Sequence, residues 1–362
     1  MQDSITINFT ENLKMITIVD DNFSQLNDFL HEKSFSKIFI LVDENTHEYC
    51  LPTLLGNMQT DLGFEILEVE AGEEMKNIQT VNQLWEILTE MQADRKALMI
   101  NLGGGVITDM GGFVASTYKR GISFINIPTT LLSMCDASIG GKTGIDLMNY
   151  KNMIGTFTFP EHIFVYPKFL ETLPFKELRS GFAEMLKHGL IADKAHWESL
   201  TQIHKLDIDG VIPHIQTSMD IKQNVVEEDF HEKNIRKTLN FGHTIGHAIE
   251  SLYLSQGNPI LHGEAVAMGM ISEAYLAYLE GLISEEDSTL IIENIQKYYP
   301  YLDISDFKDE DIFDLLLNDK KNVDSNINFS LLSGIGSCAF DHKCSKKNIT
   351  ASLKFYRELN DA

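Results

Sequence analysis

Four short segments in the first 130 residues read as strands, most of them apolar without alternation, and helix-like or glycine-rich stretches separate them. Residues 37–42 (Lys-Ile-Phe-Ile-Leu-Val) end in Asp43-Glu44-Asn45-Thr46, 65–70 follow, 97–101 run straight into Gly103-Gly104-Gly105, and 122–127 come last. A strand buried on one face alternates; a strand buried on both does not. These runs therefore predict a parallel sheet covered on both faces. Residues 78–92 supply an intervening helix, with Val81, Leu84, Ile87, Leu88 and Met91 on one side. Ligands of such sheets bind at the carboxyl ends of the strands. Both Asp43-Glu44-Asn45 and the triple glycine occupy such ends.

Beyond Pro174 the pattern turns helical, over 181–191, 211–228, 239–253, 263–281 and 284–298. Pro160, Pro167 and Pro174 punctuate the change, so a domain boundary is expected near 160–175. A chain of 362 residues suits two domains. The first is expected to be α/β and the second all-helical. No apolar run is long enough to span a bilayer, and no secretory signal is visible. Cys50, Cys135, Cys338 and Cys344 show no metal or redox spacing and read as free thiols of a reducing cytoplasm, Cys135 as a small packing residue. The net charge of −24 argues against nucleic acid, so any anion site must be built locally from lysine and arginine.

Gly103-Gly104-Gly105-Val106-Ile107-Thr108-Asp109 links a strand to a helix, where glycine lets backbone N–H groups approach a pyrophosphate. Thr108 stands where a dinucleotide fingerprint needs its third glycine, so a plain tight turn competes as a reading. Ile139-Gly140-Gly141-Lys142-Thr143-Gly144 looks like the end of a P-loop, but Asp136 occupies its first glycine.

His243 and His247 lie one helical turn apart and share a face, with His262 shortly after. A helical histidine pair is more often structural than metal-binding, but histidines with a carboxylate form a normal zinc set. Glu184 is the nearest upstream candidate, and Lys187 shares its helix face. Gly242, Gly246, Ala248, Gly263, Ala265, Ala267 and Gly269 suggest two closely packed helices that bring His243 and His262 together. His188 reads as structural.

Taken in order, Gly-Gly-Gly-Val-Ile-Thr-Asp, Tyr-Lys-Arg-Gly, Ile-Pro-Thr-Thr-Leu-Leu, Asp-Ala-Ser-Ile-Gly-Gly-Lys-Thr-Gly, Lys-Asn-Met-Ile-Gly, Gly-Phe-Ala-Glu-Met-Leu-Lys-His and Leu-Asn-Phe-Gly-His-Thr-Ile-Gly-His-Ala-Ile-Glu resemble the 3-dehydroquinate synthase family, from about residue 40 to about 335. The resemblance implies a Rossmann-like NAD-binding domain over 1–170 and an all-helical metal- and substrate-binding domain over 171–362. It makes Glu184, His243 and His262 the ligands of Zn2+ (or Co2+). It gives NAD to Asp43, Asn45, Glu73, Lys76, Gly104, Gly105, Val106, Asp109, Thr129, Thr130, Lys151, Phe169 and Thr172. It gives a sugar-acid phosphate, 3-deoxy-D-arabino-heptulosonate 7-phosphate, to Arg120, Asp136, Lys142, Asn152, Lys187, Lys222, Arg236, Asn240 and His247, with one of Lys320 and Lys321. Glu232 and His247 match proton-transfer positions, and Lys187 and Lys142 are further catalytic candidates. Arg120 implies a homodimer, because in the family it reaches across the subunit interface. Glu44, Thr108 and Met110 depart from the pattern, and Glu44 could shift cofactor affinity.

Three rivals remain beside this reading. A glycerol dehydrogenase-like metal and NAD enzyme would not need the Lys/Arg/Asn cluster for a neutral polyol. A sibling sugar-phosphate cyclase acting on a substrate without a carboxylate would not need Lys222 with Arg236. A non-catalytic paralogue would not need the intact set Glu184, Lys187, His243 and His262.

Overall fold

The computed structural model describes residues 15–148, 150–318 and 327–361. The chain divides into two compact units, the first ending at Leu173 and the second starting at Pro174.

In the first unit the elements run β1 (Ile16–Ile18), α1 (Ser24–Glu32), β2 (Ile38–Asp43), α2 (Glu44–Tyr49), α3 (Leu51–Asn57), β3 (Phe64–Val69), α4 (Ile78–Glu90), β4 (Leu98–Gly103), α5 (Gly105–Thr117), β5 (Ser123–Pro128), β6 (Lys142–Leu147), β7 (Tyr150–Phe157) and β8 (His162–Val165). Six strands form one parallel sheet in the order β1-β8-β5-β4-β2-β3. The central strands β2, β4 and β5 are buried almost throughout, which is why their sequences do not alternate. Edge strand β3 is buried only at Leu67 and is otherwise exposed or half-buried. Phe39, Leu41 and Met99 pack on one face against Val81, Leu84 and Leu88 of α4 and Ile107, Met110 and Val114 of α5. Ile38, Ile40 and Val42 point to the opposite face and are equally buried.

Strand order reverses between β2 and β4: the chain steps outward from β2 to β3, then returns past β2 to β4 and on to β5 and β8. Ligands of open α/β sheets bind at such a switch point. Leu41 pairs with Asn101, which sets Asp43 level with Gly103, and Gly103 pairs with Pro128. The sequence reading missed β1, β8 and the antiparallel β6–β7 hairpin, all short or irregular in pattern.

The second unit runs α6 (Phe175–Ala192), α7 (Lys194–Thr201), α8 (Ile208–Glu228), α9 (His243–Ser255), α10 (His262–Leu279), α11 (Glu285–Gln296), α12 (Asp309–Asn318), β9 (Asn328–Gly334), β10 (Ser337–Lys343) and α13 (Lys346–Glu358). The expectation of an all-helical second domain needs correction. It holds for the helices, but β9 and β10 form an antiparallel hairpin. The run Phe329-Ser330-Leu331-Leu332 is buried at every position, so it lacks the alternation that marks a hairpin strand. The helix expected over 239–253 begins later, at His243, because a 3₁₀ turn occupies Ile235–Asn240 and Gly242 adopts the left-handed region at φ 78°. Among the described residues, no helix is long and apolar enough to cross a membrane. No disulfide joins the four cysteines, and Cys135 is fully buried.

Helices α9 and α10 approach as closely as the small residues suggested. A Cβ on Gly269 would lie 1.9 Å from the Gly242 carbonyl oxygen, and one on Gly246 would lie 2.9 Å from the Ala265 carbonyl oxygen. In an exposed helix, glycine to alanine gains up to about 1 kcal/mol. At Gly269 the backbone collision outweighs that gain, and overpacking of this kind costs roughly 1–3 kcal/mol. Gly269→Ala should therefore lower the midpoint of urea unfolding. Gly56→Ala in α3, where a Cβ meets nothing within 4 Å, should leave it equal or higher.

A buried histidine and a half-buried one set an acid limit on stability. In α7, His196 is 4 % exposed and shares a 2.8 Å hydrogen bond with Ser218 of α8. In β8, His162 shares one of 2.8 Å with Thr17 and stacks on Phe164. Burial is the main cause that lowers each imidazole to about 4, from an ordinary 6.5. The unfolded chain then binds more protons between those values, so this stability is complete above about pH 6.5 and is lost as pH falls toward 4. Urea midpoints should drop between pH 7 and pH 5, and less steeply in His196→Gln. An equal drop in that variant would contradict the assignment.

Candidate functional site

In the second unit, three helices bring one carboxylate and three imidazoles together. Glu184 projects from the middle of α6 and is fully buried. His243 opens α9 and His262 opens α10. His243 Nε2 and His262 Nε2 stand 3.3 and 3.5 Å from Glu184 Oε1. Lys187, one turn along α6, forms an ion pair with Glu184 Oε2. The ligand atoms of His243, His247 and His262 lie within 4.8 Å of one another. The ring centroids of His243 and His247 are 5.1 Å apart. His243 and His247 thus lie side by side, as expected of one helix face, and His262 and Glu184, the other two candidates named from the sequence, stand beside them.

Local sequence fixes each ligand. The helix start at His262 is tied to α6, since the Gly263 N–H donates to Ser180 Oγ at 3.0 Å. Gly263 permits the approach, because a Cβ there would lie 2.0 Å from the Ser180 carbonyl oxygen. Next to it, Arg179 of α6 pairs with Glu264 at 2.6 Å. His243 Nδ1 lies 3.1 Å from the Phe241 carbonyl oxygen. Only an N–H can donate there, so the proton sits on Nδ1 and the Nε2 lone pair faces Glu184. His262 Nδ1 faces Glu250 Oε2 at 3.5 Å, which directs its Nε2 toward Glu184 in the same way. The sequence reading missed Glu250 as part of the site. Its signal was present: His243, His247 and Glu250 stand at i, i+4 and i+7, on one helix face.

Electrostatics agree with this arrangement. Burial pushes the His243 imidazole down to about 4, with Lys187 adding to the effect. Burial also opposes charge on His262, but Glu184 and Glu250 outweigh it and lift this imidazole to about 10. Burial pushes the Glu184 carboxyl up, and Lys187 with His243 outweighs it, holding the group well below the ordinary carboxylate range. Neither Glu184 oxygen has a hydrogen-bond partner of good geometry among the described residues. A carboxylate facing an imidazole lone pair at 3.3 Å, in the protein interior, is an arrangement that a shared divalent cation satisfies. The donor set, one carboxylate oxygen with imidazole nitrogens, fits zinc or cobalt.

The other second-unit candidates lie on α8 and in the segment leading to α9. Lys222 is buried on α8. Arg236 is 1 % exposed in the 3₁₀ turn before α9 and donates to the Phe230 carbonyl at 2.7 Å. Asn240, in the same turn, donates to Glu232 Oε1 at 2.9 Å, and Glu232 holds a left-handed backbone at φ 57°. His188 is wholly buried in α6. Lys320 and Lys321 lie outside the described residues.

In the first unit, Asp43, Asn45, Gly104, Gly105, Val106, Thr129, Thr130, Phe169 and Thr172 lie at or follow the carboxyl ends of sheet strands, whereas Arg120 lies between α5 and the start of β5. Asp43 ends β2 and caps α2, accepting from the Thr46 N–H at 2.8 Å, and Asn45 follows in that helix. Gly104 caps α5, which starts at Gly105 and Val106. Thr129 and Thr130 follow β5, and the Thr129 N–H donates to the Gly103 carbonyl at 3.0 Å. Phe169 and Thr172 lie in the 3₁₀ turn after β8. Lys76 is buried and reaches Asp109 Oδ2 and Asn152 Oδ1, each at 2.7 Å. Burial opposes its charge, but Asp109 and Glu73 outweigh that and raise its pKa. Lys151 faces Glu73 at 3.7 Å. Arg120 is exposed after α5, Asp136 sits half-buried in the turn Ser133–Ala137, and Lys142 is exposed at the start of β6.

Comparison with known proteins agrees with the reading along the chain. The family model described as 3-dehydroquinate synthase N-terminal matches residues 66–180, and that described as 3-dehydroquinate synthase C-terminal matches 181–322. A 3-dehydroquinate synthase of Parabacteroides distasonis is 42% identical over 347 residues, which is 95% of this chain and 98% of the relative. One from Sulfurovum sp. is 39% identical over 89% of this chain and 91% of its own length. Among solved structures, 2-epi-5-epi-valiolone synthase from Streptomyces hygroscopicus, with NAD+ and Zn2+ bound, superposes with a TM-score of 0.84 at 25% identity, covering 95% of this chain and 96% of the other. A glycerol dehydrogenase from Schizosaccharomyces pombe shares the fold at TM-score 0.67 and 14% identity, covering 96% of this chain and 90% of that one. With both family models matched in order and a relative 42% identical along nearly its whole length, the chain belongs to the 3-dehydroquinate synthase family.

Proposed function

We propose that this protein is a 3-dehydroquinate synthase, a carbon–oxygen lyase that converts 3-deoxy-D-arabino-heptulosonate 7-phosphate to 3-dehydroquinate and phosphate. It would serve aromatic amino-acid biosynthesis through the shikimate pathway, in the cytoplasm and as a homodimer. The observation that carries the reading is the buried carboxylate of Glu184 facing the His243 and His262 nitrogens, with Lys187 beside it.

Glu184, His243 and His262 would hold the metal, zinc or cobalt. A metal there supplies a Lewis acid for the substrate oxygen at C5. The set Asp43, Asn45, Glu73, Lys76, Gly104, Gly105, Val106, Asp109, Thr129, Thr130, Lys151, Phe169 and Thr172 would hold NAD, which supplies hydride acceptance at C5 and then hydride return. Gly104 and Gly105 present backbone N–H groups at the start of α5, suited to a pyrophosphate. A ketone at C5 acidifies the neighbouring C–H, so phosphate leaves by β-elimination; ring opening and an intramolecular aldol closure then follow.

The chain's own residues divide the remaining work. Lys142, Asn152 and Arg120 suit the phosphate, with Asp136 orienting the substrate. Asn152 is held through Lys76 in this structure, so its amide is pre-positioned by the same lysine assigned to NAD. Lys222 and Arg236 suit the substrate carboxylate, which arginine can grip bidentately. His247 stands beside the metal set as the proton-transfer group, with Glu232 and Asn240 as a hydrogen-bonded pair. Lys187 neutralises Glu184 and donates toward the substrate. This local basic set answers the puzzle of a strongly acidic protein with an anionic substrate.

The reading is tested by phosphate release from the heptulosonate phosphate, with and without NAD and with and without a chelator. Release should require NAD and be abolished by the chelator, with no net NADH. NADH accumulating with glycerol and no phosphate release would instead favour a polyol dehydrogenase. His262→Ala should abolish turnover and lower bound zinc, measured by elemental analysis, while circular dichroism stays at wild type. A metal-free His262→Ala protein with full activity would refute the assignment.

A further inference from the structure

Helix α10 carries two carboxylates with no role in the chemistry above: Glu264, paired with Arg179, and Glu273. Glu273 lies in the apolar run Ala-Val-Ala-Met-Gly-Met-Ile-Ser-Glu-Ala and is 0 % exposed. Its Oε2 accepts the Gly242 N–H at 2.6 Å and its Oε1 accepts the Ile245 N–H at 2.9 Å. Those two groups bracket His243. The first N–H groups of a helix have no partner within it, and a buried end without a cap is costly. Gly242 itself offers no side chain, and α9 has no side-chain cap of its own. The cap comes instead from another helix, through a charged acceptor, which makes stronger hydrogen bonds than a neutral one. It also complements the positive end of the α9 dipole.

The geometry explains how α10 delivers this group. Gly269 is the point of closest approach, where a Cβ would lie 1.9 Å from the Gly242 carbonyl oxygen. Glu273 stands one turn further on, on the same face. The carboxylate thus grips the backbone on both sides of His243, and α10 also carries His262 at its first residue. Two proposed metal ligands are therefore coupled through one side chain.

We propose that Glu273 is a positioning residue for the metal site: its carboxylate fixes the start of α9, and through it His243 and His247, relative to His262. The proposal rests on the functional reading above. It predicts that loss of the carboxylate loosens the site rather than only the fold. Outer groups that orient metal ligands typically contribute about 10–100-fold in metal affinity.

The test uses the full chain stripped of metal and titrated with Co2+, followed by its visible d–d absorption. Glu273→Ala should weaken Co2+ binding about 10–100-fold and alter the band shape. Glu273→Gln keeps one acceptor and the volume, and should fall between wild type and Glu273→Ala; it also serves if the alanine variant does not fold. Amide exchange at Ile245 should accelerate in both. Leu353→Ala, in the buried face of α13, provides a matched loss of stability and should leave Co2+ affinity unchanged. Folded Glu273 variants with wild-type affinity and spectrum, or a Leu353→Ala loss equal to theirs, would overturn the proposal. His243→Ala separates the two claims: if it keeps Co2+ with wild-type affinity, the metal reading itself fails, whatever Glu273 does.

Discussion

A carboxylate removed from water at Glu184 is the constraint around which the second unit is organised. An ionised group in the interior carries a penalty of several kcal/mol unless its surroundings compensate it. Here Lys187 on the same helix supplies the opposite charge, and two imidazoles from the starts of two other helices face the other carboxylate oxygen, where a shared cation would complete the compensation. The starts of α9 and α10 must therefore converge on the middle of α6. That requirement accounts for Gly263 against Ser180, Gly269 against Gly242 and the borrowed cap from Glu273. Each is a place where a larger residue or a missing acceptor would move an imidazole away from Glu184.

The first unit solves a different problem with different means. Its sheet is a scaffold whose strand ends are brought level by parallel register, so that Asp43, Gly103 and Pro128 lie along one edge. The side chains there engage one another: Asp43 caps α2, and Lys76 bridges Asp109 and Asn152. Such prior engagement limits how far these groups can wander before a ligand arrives, which reduces the ordering cost of binding.

Legibility followed the strength of the local pattern. Largely apolar runs at 37–42, 97–101 and 122–127 signalled buried parallel strands, which the structure places at 38–43, 98–103 and 123–128, because burial on both faces removes the alternation of a half-exposed strand. The three-residue β1 and the β9–β10 hairpin were not legible, the first being too short and the second too evenly apolar along β9. The helix start at His243 was placed too early, since the 3₁₀ turn Ile235–Asn240 mimics a helical pattern. Glu250 was readable from its spacing to His243 and His247, seven residues on from the first.

By itself the sequence determined the composition of the site: the histidine spacing, the Glu184–Lys187 turn, the glycines that allow close packing and the ordered motifs of the family. These are local properties, fixed by helical periodicity and residue chemistry. Only the tertiary structure decided which nitrogen of each histidine faces Glu184, that Glu250 stands behind His262, and that Glu273 holds the start of α9. Those facts depend on contacts between residues far apart in the chain, and periodicity within one helix carries no information about what packs against it.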